Sequence, residues 1–387
     1  MRSKIFIVLI LVIFLGLAVT IKPKQIGGGF VYSKELGIKD SKIFNLSASM
    51  LGEGIDSYDG DFSLSPDGDK IAFTGLKQEP GFDTGSSPYL FILNLKTGTL
   101  KKFEKGTTLF DWESSDILSY ASQSSTHLYD TANDVDIASI TDYSNGKLSP
   151  NKKLYAFNGL LNKQGLFILS LDTKDITQIS EDSRDTFGPW FSDSNKILIG
   201  KNLKDGNSPI SVFNVKNKKL DNLEINGLFT DNVFRTELFW IEPDNIILLY
   251  PSTIIDLKSD KVLKKIEFTG DEIQSADAPN TKIGYFGISP FNANTLQIYN
   301  KYGSLVAERK NSHWMESVRE FIDKDKVLLS SEDAGVGATH EYILWNMNDN
   351  TQKILNSNSK NYNLQLFPDH IHWIAQDTKR FYLGKIK

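Results

Sequence analysis

Ser65-Pro-Asp-Gly-Asp-Lys-Ile-Ala-Phe73 is the stretch of the chain that decides the fold, because it recurs along the sequence. A close copy is Ser149-Pro-Asn-Lys-Lys-Leu-Tyr-Ala-Phe157, and looser copies begin at Ser192 and Glu242. Each copy is a polar turn that leads into residues with high β-propensity. A repeat of this kind predicts a series of equivalent β-units.

A second repeated module follows each turn. The segment Leu90-Phe-Ile-Leu-Asn-Leu-Lys-Thr-Gly-Thr-Leu-Lys-Lys-Phe103 is echoed by residues 166–179. Looser copies begin at Ile210, Thr253, Leu296 and Glu341. Apolar residues alternate on both sides of a short turn such as Lys96-Thr97-Gly98, which predicts a β-hairpin. The two modules together predict a four-stranded antiparallel meander.

The spacing of the turn module indicates the architecture. The module can be placed near Asp67, Ser114, Asn151, Asp193, Asp244, Asn280, Asp323 and Asp377. These positions are about 44 residues apart on average, the spacing of propeller blades. We therefore expect an all-β fold, a β-propeller of eight four-stranded blades. Seven blades are the alternative, because the unit of residues 109–140 is weak.

The two ends of the chain predict how the ring closes. The last unit has only two predicted strands, residues 370–376 and 379–386. Two further strands, residues 30–33 and 42–46, precede the first complete unit without a pair of their own. Joining both pairs in one blade would remove the exposed sheet edges of an open stack. We expect a ring closed by a split blade from N- and C-terminal strands.

The stretch from Ser65 to Phe73 resembles the S-P-D-G-K-x-I-A-F repeat of TolB-like and WD-repeat-like β-propellers, in which the turn joins the two inner strands of a blade. The resemblance covers the chain from about Phe30 to its end. It implies a propeller that serves mainly as an interaction platform, and in some relatives as the specificity domain of a peptidase. In the fourth copy Glu242 replaces the serine, and Gly68 appears in the first copy alone.

The N-terminal residues differ from the rest of the chain. Arg2 and Lys4 precede an apolar run, residues 5–21, which Lys22-Pro23-Lys24 closes. This pattern predicts that residues 1–24 are a signal anchor, with a cleaved signal peptide as the alternative. Residues 25–29 then read as a Gly-rich tether and residues 30–387 as a single propeller domain. The expected location is a single-pass attachment to the cell membrane with the propeller extracytoplasmic, or secretion if cleavage occurs.

Composition excludes several classes of function. The net charge of −5 offers no basic surplus for nucleic acid, and the absence of Cys excludes disulfides, thiol nucleophiles and thiolate metal sites. The excess of Lys over Arg, 37 against six, is common in AT-rich bacterial genomes. No G-x-S-x-G, G-x-x-x-x-G-K-[ST] or H-E-x-x-H string occurs. The sequence therefore favours a protein without catalytic activity.

Candidate binding residues come from the position of loops in a propeller. The loops that lead from an outer strand to the next blade gather on one face of the ring, and binding residues concentrate on such loops. Arginine and aromatic side chains, which form interface hot spots, occur in these loops. The predicted binding residues are Arg184, Arg235, Phe187, Phe234, His313, Trp314 and Glu316. The alternative for Arg184 is an ion pair with Asp182 or Asp185.

Calcium is the one cofactor for which the sequence offers ligands. Asp56, Asp59 and Asp61 lie in a Gly-rich segment and carry the hard oxygen atoms that Ca²⁺ prefers. Their spacing is not that of the D-x-[DN]-x-[DN]-G loop, so a solvated loop is the alternative.

Three functions remain open. The first is a membrane-anchored binding module, without catalytic activity, for a protein or cell-envelope ligand. The second is a propeller enzyme of the lactonase, lyase or glycosidase type, acting on an extracellular small molecule or sugar through acids such as Asp56, Asp59 or Glu316. The third is a sensor or accessory subunit of a cell-envelope assembly. Propeller enzymes carry dispersed catalytic residues, so the sequence alone does not decide among them.

Overall fold

The computed structural model describes most of the chain after Lys24. The described residues are 24–26, 30–32, 42–45, 51, 55–78, 86–105, 107–122, 125–141, 143–159, 164–201, 210–225, 238–242, 246–249, 253–266, 273–280, 284–290, 295–311, 315–332, 340–358, 364–367, 372–377 and 380–385. Every element whose bounds are described is a β-strand. The part of the chain that is described contains no helix long and apolar enough to cross a membrane. The predicted signal anchor, apart from Lys24, lies outside the described residues.

The described strands form eight antiparallel sheets, numbered here in chain order. Sheet 1 contains Ile55–Leu64, Lys70–Gln78, Ser86–Asn94 and Leu100–Lys105. Sheet 2 contains Thr107–Trp112, Ile117–Ser122, Ser125–Asp130 and Val135–Thr141. Sheet 3 contains Tyr143–Leu148, Leu154–Gly159, Leu166–Ser170 and Ile176–Ser180. Sheet 4 contains Thr186–Trp190, Lys196–Gly200, Ile210–Asn214 and Lys219–Asn222.

The second half of the chain continues the same pattern. Sheet 5 contains Leu238–Glu242, Ile246–Leu249, Thr253–Asp256 and Lys261–Lys265. Sheet 6 contains Ile273–Asn280, Tyr285–Pro290, Thr295–Asn300 and Leu305–Lys310. Sheet 7 contains Met315–Phe321, Lys326–Glu332, His340–Asn346 and Thr351–Asn358, extended by Phe30–Tyr32 and Lys24–Ile26. Sheet 8 contains Leu364–Leu366, His372–Asp377, Arg380–Lys385 and Lys42–Asn45. The predicted four-stranded meander is confirmed, including the weak unit of residues 109–140.

The strands at the two ends of the chain pair differently from the prediction. Sheet 8 takes three strands from the C-terminal end and one, Lys42–Asn45, from the N-terminal end. Phe30–Tyr32 pairs instead with Thr351–Asn358 of sheet 7. The repeat pattern did not predict the strand Leu364–Leu366, which is the first strand of sheet 8. With three C-terminal strands present, a four-stranded sheet takes only one strand from the N-terminal end. Gln25 and Ile26, predicted to be part of a tether, lie in a strand paired with Phe30–Tyr32.

The Ser65 turn owes its shape to side-chain hydrogen bonds. Ser65 Oγ donates to Asp67 Oδ1 at 2.6 Å and accepts from the Lys70 N–H at 2.9 Å. Gly68 has a φ of +76°, a conformation that glycine adopts without steric cost. The second copy repeats these contacts, with Ser149 Oγ donating to Asn151 at 2.8 Å. The repeat therefore encodes one turn geometry.

The third copy of the turn is aligned one residue away from the sequence match. In the first copy the backbone N–H of Ser65 donates to the backbone carbonyl of Lys70. The equivalent bond in the third copy runs from the N–H of Phe191, and not of Ser192, to the Lys196 carbonyl. Asp193 accepts the N–H of Asn195 at 2.9 Å and so takes the place of Asp67. A side-chain oxygen of Asp or Asn that accepts the N–H two residues later, more than the serine, is the feature common to the three turns.

The hairpin between the third and fourth strands has its own recurring device. In sheet 1 the carboxamide of Asn94 accepts the N–H groups of Lys96 and Thr97, both at 3.0 Å. Four residues after Asn94, Gly98 adopts a φ of +74°. The same position has a positive φ in sheets 2, 3, 4, 5 and 7, at Asp134, Lys174, Lys218, Asp260 and Asn350. Local hydrogen bonds of this kind favour turns over continued strand.

Neighbouring sheets pack through apolar side chains. Clusters of buried residues join sheets 1 and 2, 2 and 3, 3 and 4, 4 and 5, 6 and 7, and 7 and 8. A further cluster joins sheet 8 to sheet 1, in which Phe381 lies edge-on to Phe62 and Phe73. Gln365 of sheet 8 also accepts the Leu64 N–H at 2.9 Å and donates to the Phe62 carbonyl at 2.7 Å. The last sheet thus packs on the first.

Two tryptophans fasten neighbouring sheets at equivalent places. Trp112 Nε1 of sheet 2 donates to the Ser63 carbonyl of sheet 1, and Trp190 Nε1 of sheet 4 donates to the Lys147 carbonyl of sheet 3, both at 3.0 Å. Ser63 and Lys147 each lie two residues before the serine of their turn. Trp190 is also buried in the apolar cluster between sheets 3 and 4.

Candidate binding site on the inner strands

The predicted binding residues whose side chains the structure describes lie on the first strands of the sheets, which we call the inner strands, or just before them. Arg184 precedes the inner strand of sheet 4 and lies against Asp182, with Nε to Oδ1 and Nη2 to Oδ2 both at 3.2 Å. Asp185 instead binds Lys201 and Ser180. Phe187 is half-buried against the cluster between sheets 3 and 4. Arg184 is therefore exposed but ion-paired, and Phe187 serves packing.

Glu316 lies on the inner strand of sheet 7, where its side chain is completely buried. Its Oε2 is 2.9 Å from Nε of Arg309, which lies on the outer strand of sheet 6. Arg309 Nη2 also donates to Glu316 Oε1 at 3.2 Å and to Gln352 Oε1 at 2.7 Å, and its guanidinium lies 5.4 Å from the Trp345 ring. Burial lowers the pKa of Arg309, and the Glu316 carboxylate opposes that shift. Glu316 is thus engaged between two sheets and has no exposed surface for a ligand.

Four predicted binding residues lie outside the described residues: Arg235, Phe234, His313 and Trp314. Asp56, Asp59 and Asp61 belong to the strand Ile55–Leu64, whose pairing is irregular between Ser57 and Phe62. The predicted loop is therefore a bulged strand, while the side chains of the three aspartates are not described. Among the described side chains no group of three His, Asp or Glu residues could hold a metal ion.

A group of titratable side chains that the sequence did not single out lies near the ends of the inner strands of sheets 2 and 3. Asp111 and Lys147 are both solvent-exposed. Even so, burial raises the pKa of Asp111 and lowers the pKa of Lys147. Side chains that reach water while protein surrounds them are typical of a concave surface. Perturbed pKa values at such a surface mark candidates for ligand contact.

Glu113 connects this group across the two sheets. Its Oε2 accepts the N–H of Leu148 at 2.9 Å, so the carboxyl of sheet 2 caps the end of the sheet 3 inner strand. Burial raises the pKa of Glu113, with a smaller contribution from Asp111, while the Leu148 N–H and Lys147 act in the opposite direction. Two carboxyls and one amine are therefore electrostatically coupled here.

Tyr155 is a buried residue next to this group. Its ring is completely buried, and its hydroxyl makes no well-oriented hydrogen bond among the described residues. Burial, and next the charge of Glu113, raise the pKa of Tyr155 far above its usual value. The ring lies on Gly146, where a Cβ atom would come within 2.5 Å of the tyrosine Cζ. Gly146 is therefore required for this packing.

Glu320 is a further inner-strand carboxyl, on sheet 7 after a register shift in the pairing with the second strand. Burial raises its pKa to about 7. Neither Glu320 nor the group around Lys147 belongs to a recognisable motif, because their properties arise from the sheets packed around them. A useful sequence signal would have been polar residues at inner-strand ends, directly before the repeated turns.

Comparison with known proteins identifies the fold. No family model and no curated protein matches the sequence. A structure of a eukaryotic initiation factor aligns with a TM-score of 0.58 and 12% identity over 85% of this chain and 86% of that chain. The Dos1 propeller aligns with a TM-score of 0.54 and 12% identity over 90% and 96%. A prolyl endopeptidase aligns with a TM-score of 0.53 and 11% identity, over 87% of this chain but 56% of that one. At these identities the likeness concerns the fold alone, and the protein has a β-propeller fold.

Proposed function

We propose that the protein is an exported, membrane-anchored β-propeller that binds a protein or cell-envelope ligand without catalysing a reaction. The observation that carries the choice of binding over catalysis is the burial of Glu316 against Arg309. Glu316 was the described candidate for a catalytic acid, and in an ion pair without exposed surface it is not available to a substrate. The exposed groups Asp111 and Lys147 are available to a ligand.

The proposal includes a ring of eight blades, one for each sheet. It is supported by the packing of Phe381 on Phe62 and by the two hydrogen bonds of Gln365 to sheet 1. The TolB-like resemblance of the Ser65 turn agrees with such a ring. The sheet 8 blade would then close the ring with three C-terminal strands and one N-terminal strand.

Membrane anchoring and export rest on the apolar run of residues 5–21 and the basic residues on both sides of it. In this location the protein would bind its ligand at the membrane surface. If the ligand is a neighbouring subunit, the protein is an accessory subunit of a cell-envelope assembly. A calcium ion at Asp56, Asp59 and Asp61 is retained as part of the proposal on the chemistry of these ligands alone.

A capture experiment from membranes tests ligand binding by the inner strands. The full chain is compared with Asp111→Asn/Lys147→Met and with a matched control, Asp172→Asn/Lys153→Met, which removes an exposed turn ion pair at 3.2 Å. We expect the first double variant to recover a crosslinked ligand several-fold less than the control. Equal recovery by the two variants would place binding elsewhere, and an Arg184→Ala/Arg235→Ala variant then tests the loop face.

One observation favours an enzyme as the second candidate. A carboxyl with a pKa of about 7, such as Glu320, is suited to general acid–base catalysis near neutral pH. The test is hydrolysis or elimination of lactone and glycoside substrates as a function of pH. An enzyme would lose a pH inflection near 7 in Glu320→Gln and keep it in Glu308→Gln, which changes an exposed carboxyl.

A further inference from the structure

Five exposed apolar side chains lie on the fourth strands, which we call the outer strands, or in the adjoining turns of three consecutive sheets. They are Leu263 of sheet 5, Tyr302, Leu305 and Val306 of sheet 6, and Ile354 of sheet 7, with 39–58% of their surface exposed. We call these five residues the rim patch. The other exposed large apolar residues among the described ones are Ile43, Val135 and Ile176, each on a different sheet. Isolated residues of this kind are ordinary, whereas five on neighbouring outer strands require an explanation.

Contacts beside the rim patch show that the three outer edges adjoin. Gly303, next to Tyr302, lies so close to sheet 5 that a Cβ atom there would meet Cγ of Lys264 at 2.5 Å. Between sheets 6 and 7, Nη2 of Arg309 donates to Oε1 of Gln352 at 2.7 Å, and both residues belong to outer strands. The residues of the rim patch therefore lie on adjoining strands and turns of the three sheets.

The N-terminal segment reaches the fold beside this surface. Lys24 pairs with Tyr32, and Tyr32 pairs with Asn356, two residues after Ile354. With neighbouring strands about 4.8 Å apart, Lys24 lies about 10 Å from Asn356. The apolar run ends at Ile21, so at most about 10 Å of extended chain separates it from the edge of sheet 7.

The charges around the rim patch complement an anionic surface. The outer strands and adjoining turns of sheets 5 to 7 carry five exposed lysines among their described side chains: Lys258, Lys261, Lys264, Lys310 and Lys353. Three exposed acidic residues accompany them: Asp260, Glu308 and Asp349. Apolar side chains flanked by lysine are typical of protein surfaces that lie in the headgroup region of a bilayer.

We propose that the rim patch rests on the lipid bilayer from which the N-terminal segment emerges. This inference depends on the proposed membrane anchoring and adds an orientation to it. The protein meets the membrane with the outer edges of sheets 5 to 7, and the inner-strand groups around Lys147 stay accessible from the aqueous side.

The absence of cysteine makes a site-specific test straightforward. Single-cysteine variants Leu305→Cys and Ile176→Cys of the full chain, whose side chains are 52% and 47% exposed, are labelled with an environment-sensitive fluorophore. Both are reconstituted in vesicles of phosphatidylcholine and phosphatidylglycerol that carry nitroxide lipids. We expect blue-shifted emission and at least about twofold stronger quenching at position 305 than at 176. Val306→Cys serves as the second rim position if Leu305→Cys folds poorly.

Flotation of the same vesicles distinguishes the proposed membrane anchoring from the proposed orientation of the rim patch. Protein that floats but has equal, water-like emission at both positions overturns the rim orientation and leaves membrane anchoring intact. Equal strong quenching at both positions also overturns it, because the contact would then not be specific to the rim. Protein that does not float overturns membrane anchoring and the orientation with it.

Discussion

The guanidinium of Arg309 and the carboxylate of Glu316 form a buried ion pair between sheets 6 and 7, with Nε 2.9 Å from Oε2. The pair spans the connection between the outer strand of one sheet and the inner strand of the next. In the sequence it brackets residues 310–315, which include the predicted binding residues His313 and Trp314. A charge pair at this place fixes how the two sheets meet, and thereby the base of that connection.

Removing one member of this pair should destabilise the fold strongly. Glu316→Leu or Arg309→Met leaves the other charge buried without compensation, at an expected loss of about 3–5 kcal/mol in the free energy of unfolding. The double variant Arg309→Met/Glu316→Leu should lose much less than the sum of the two. Denaturant unfolding of the four proteins measures this coupling, and additive losses would contradict it.

A second prediction concerns the contact between Trp373 and Gly384, which face each other across two strands of sheet 8. A Cβ atom on Gly384 would lie 2.2 Å from Cζ2 of the indole. Because Trp373 is completely buried, Gly384→Ala should cost about 1–3 kcal/mol through overpacking. Thermal unfolding measures the loss.

The matched control for that substitution is Gly98→Asn. Gly98 has open space around its missing side chain and a positive φ, which asparagine tolerates. The equivalent hairpin of sheet 7 already holds Asn350 in this conformation. The control should change stability by less than about 0.5 kcal/mol. Equal effects at both glycines would mean that the contact with Trp373 is not what excludes a side chain.

Much of the fold could be predicted because the deciding interactions are local. The Ser65 turn and the Asn94 hairpin are held by hydrogen bonds within six residues, so their residues recur wherever the turns do. The pairing of Phe30–Tyr32 with residues about 325 positions later follows from packing between distant strands, on which no local motif reports. The candidate binding site was harder to predict from the sequence than the fold. Asp111, Lys147 and Glu320 become distinctive only through the protein that surrounds them.

The turn serine provides a third prediction. Ser65 is buried and satisfies the Lys70 N–H, so Ser65→Ala should cost about 1–3 kcal/mol by leaving that group unpaired. Ser149→Ala, at the equivalent turn of sheet 3, should behave alike. The two losses should add, since the two serine hydroxyls share no hydrogen-bond partner. Urea unfolding of both single variants and the double variant tests this.

The same turn makes stability depend on acid. Burial alone would raise the pKa of Asp67, but the hydrogen bonds from the Ser65 hydroxyl and the Asp69 N–H outweigh it and lower the pKa. A carboxyl whose pKa is depressed by folding stabilises the protein above its unfolded pKa and loses this effect as the pH falls through the folded value. Ser65→Ala should therefore flatten the decline of stability below about pH 4. An unchanged acid profile would mean that Ser65 does not set the pKa of Asp67.

Glu320 should act on stability in the opposite direction. Its pKa is raised by burial to about 7, so the folded protein holds a proton that the unfolded chain releases near pH 4.5. The resulting stabilisation is complete below about pH 4.5, falls as the pH rises and is lost above about pH 7. Glu320→Gln removes this dependence, and its stability relative to the unmodified protein should rise steadily between these two pH values. Unfolding midpoints measured across this pH range, with Glu308→Gln as an exposed control, test the sign of this pH dependence. A stability difference between Glu320→Gln and the unmodified protein that stays constant with pH would show that Glu320 titrates normally in the folded protein.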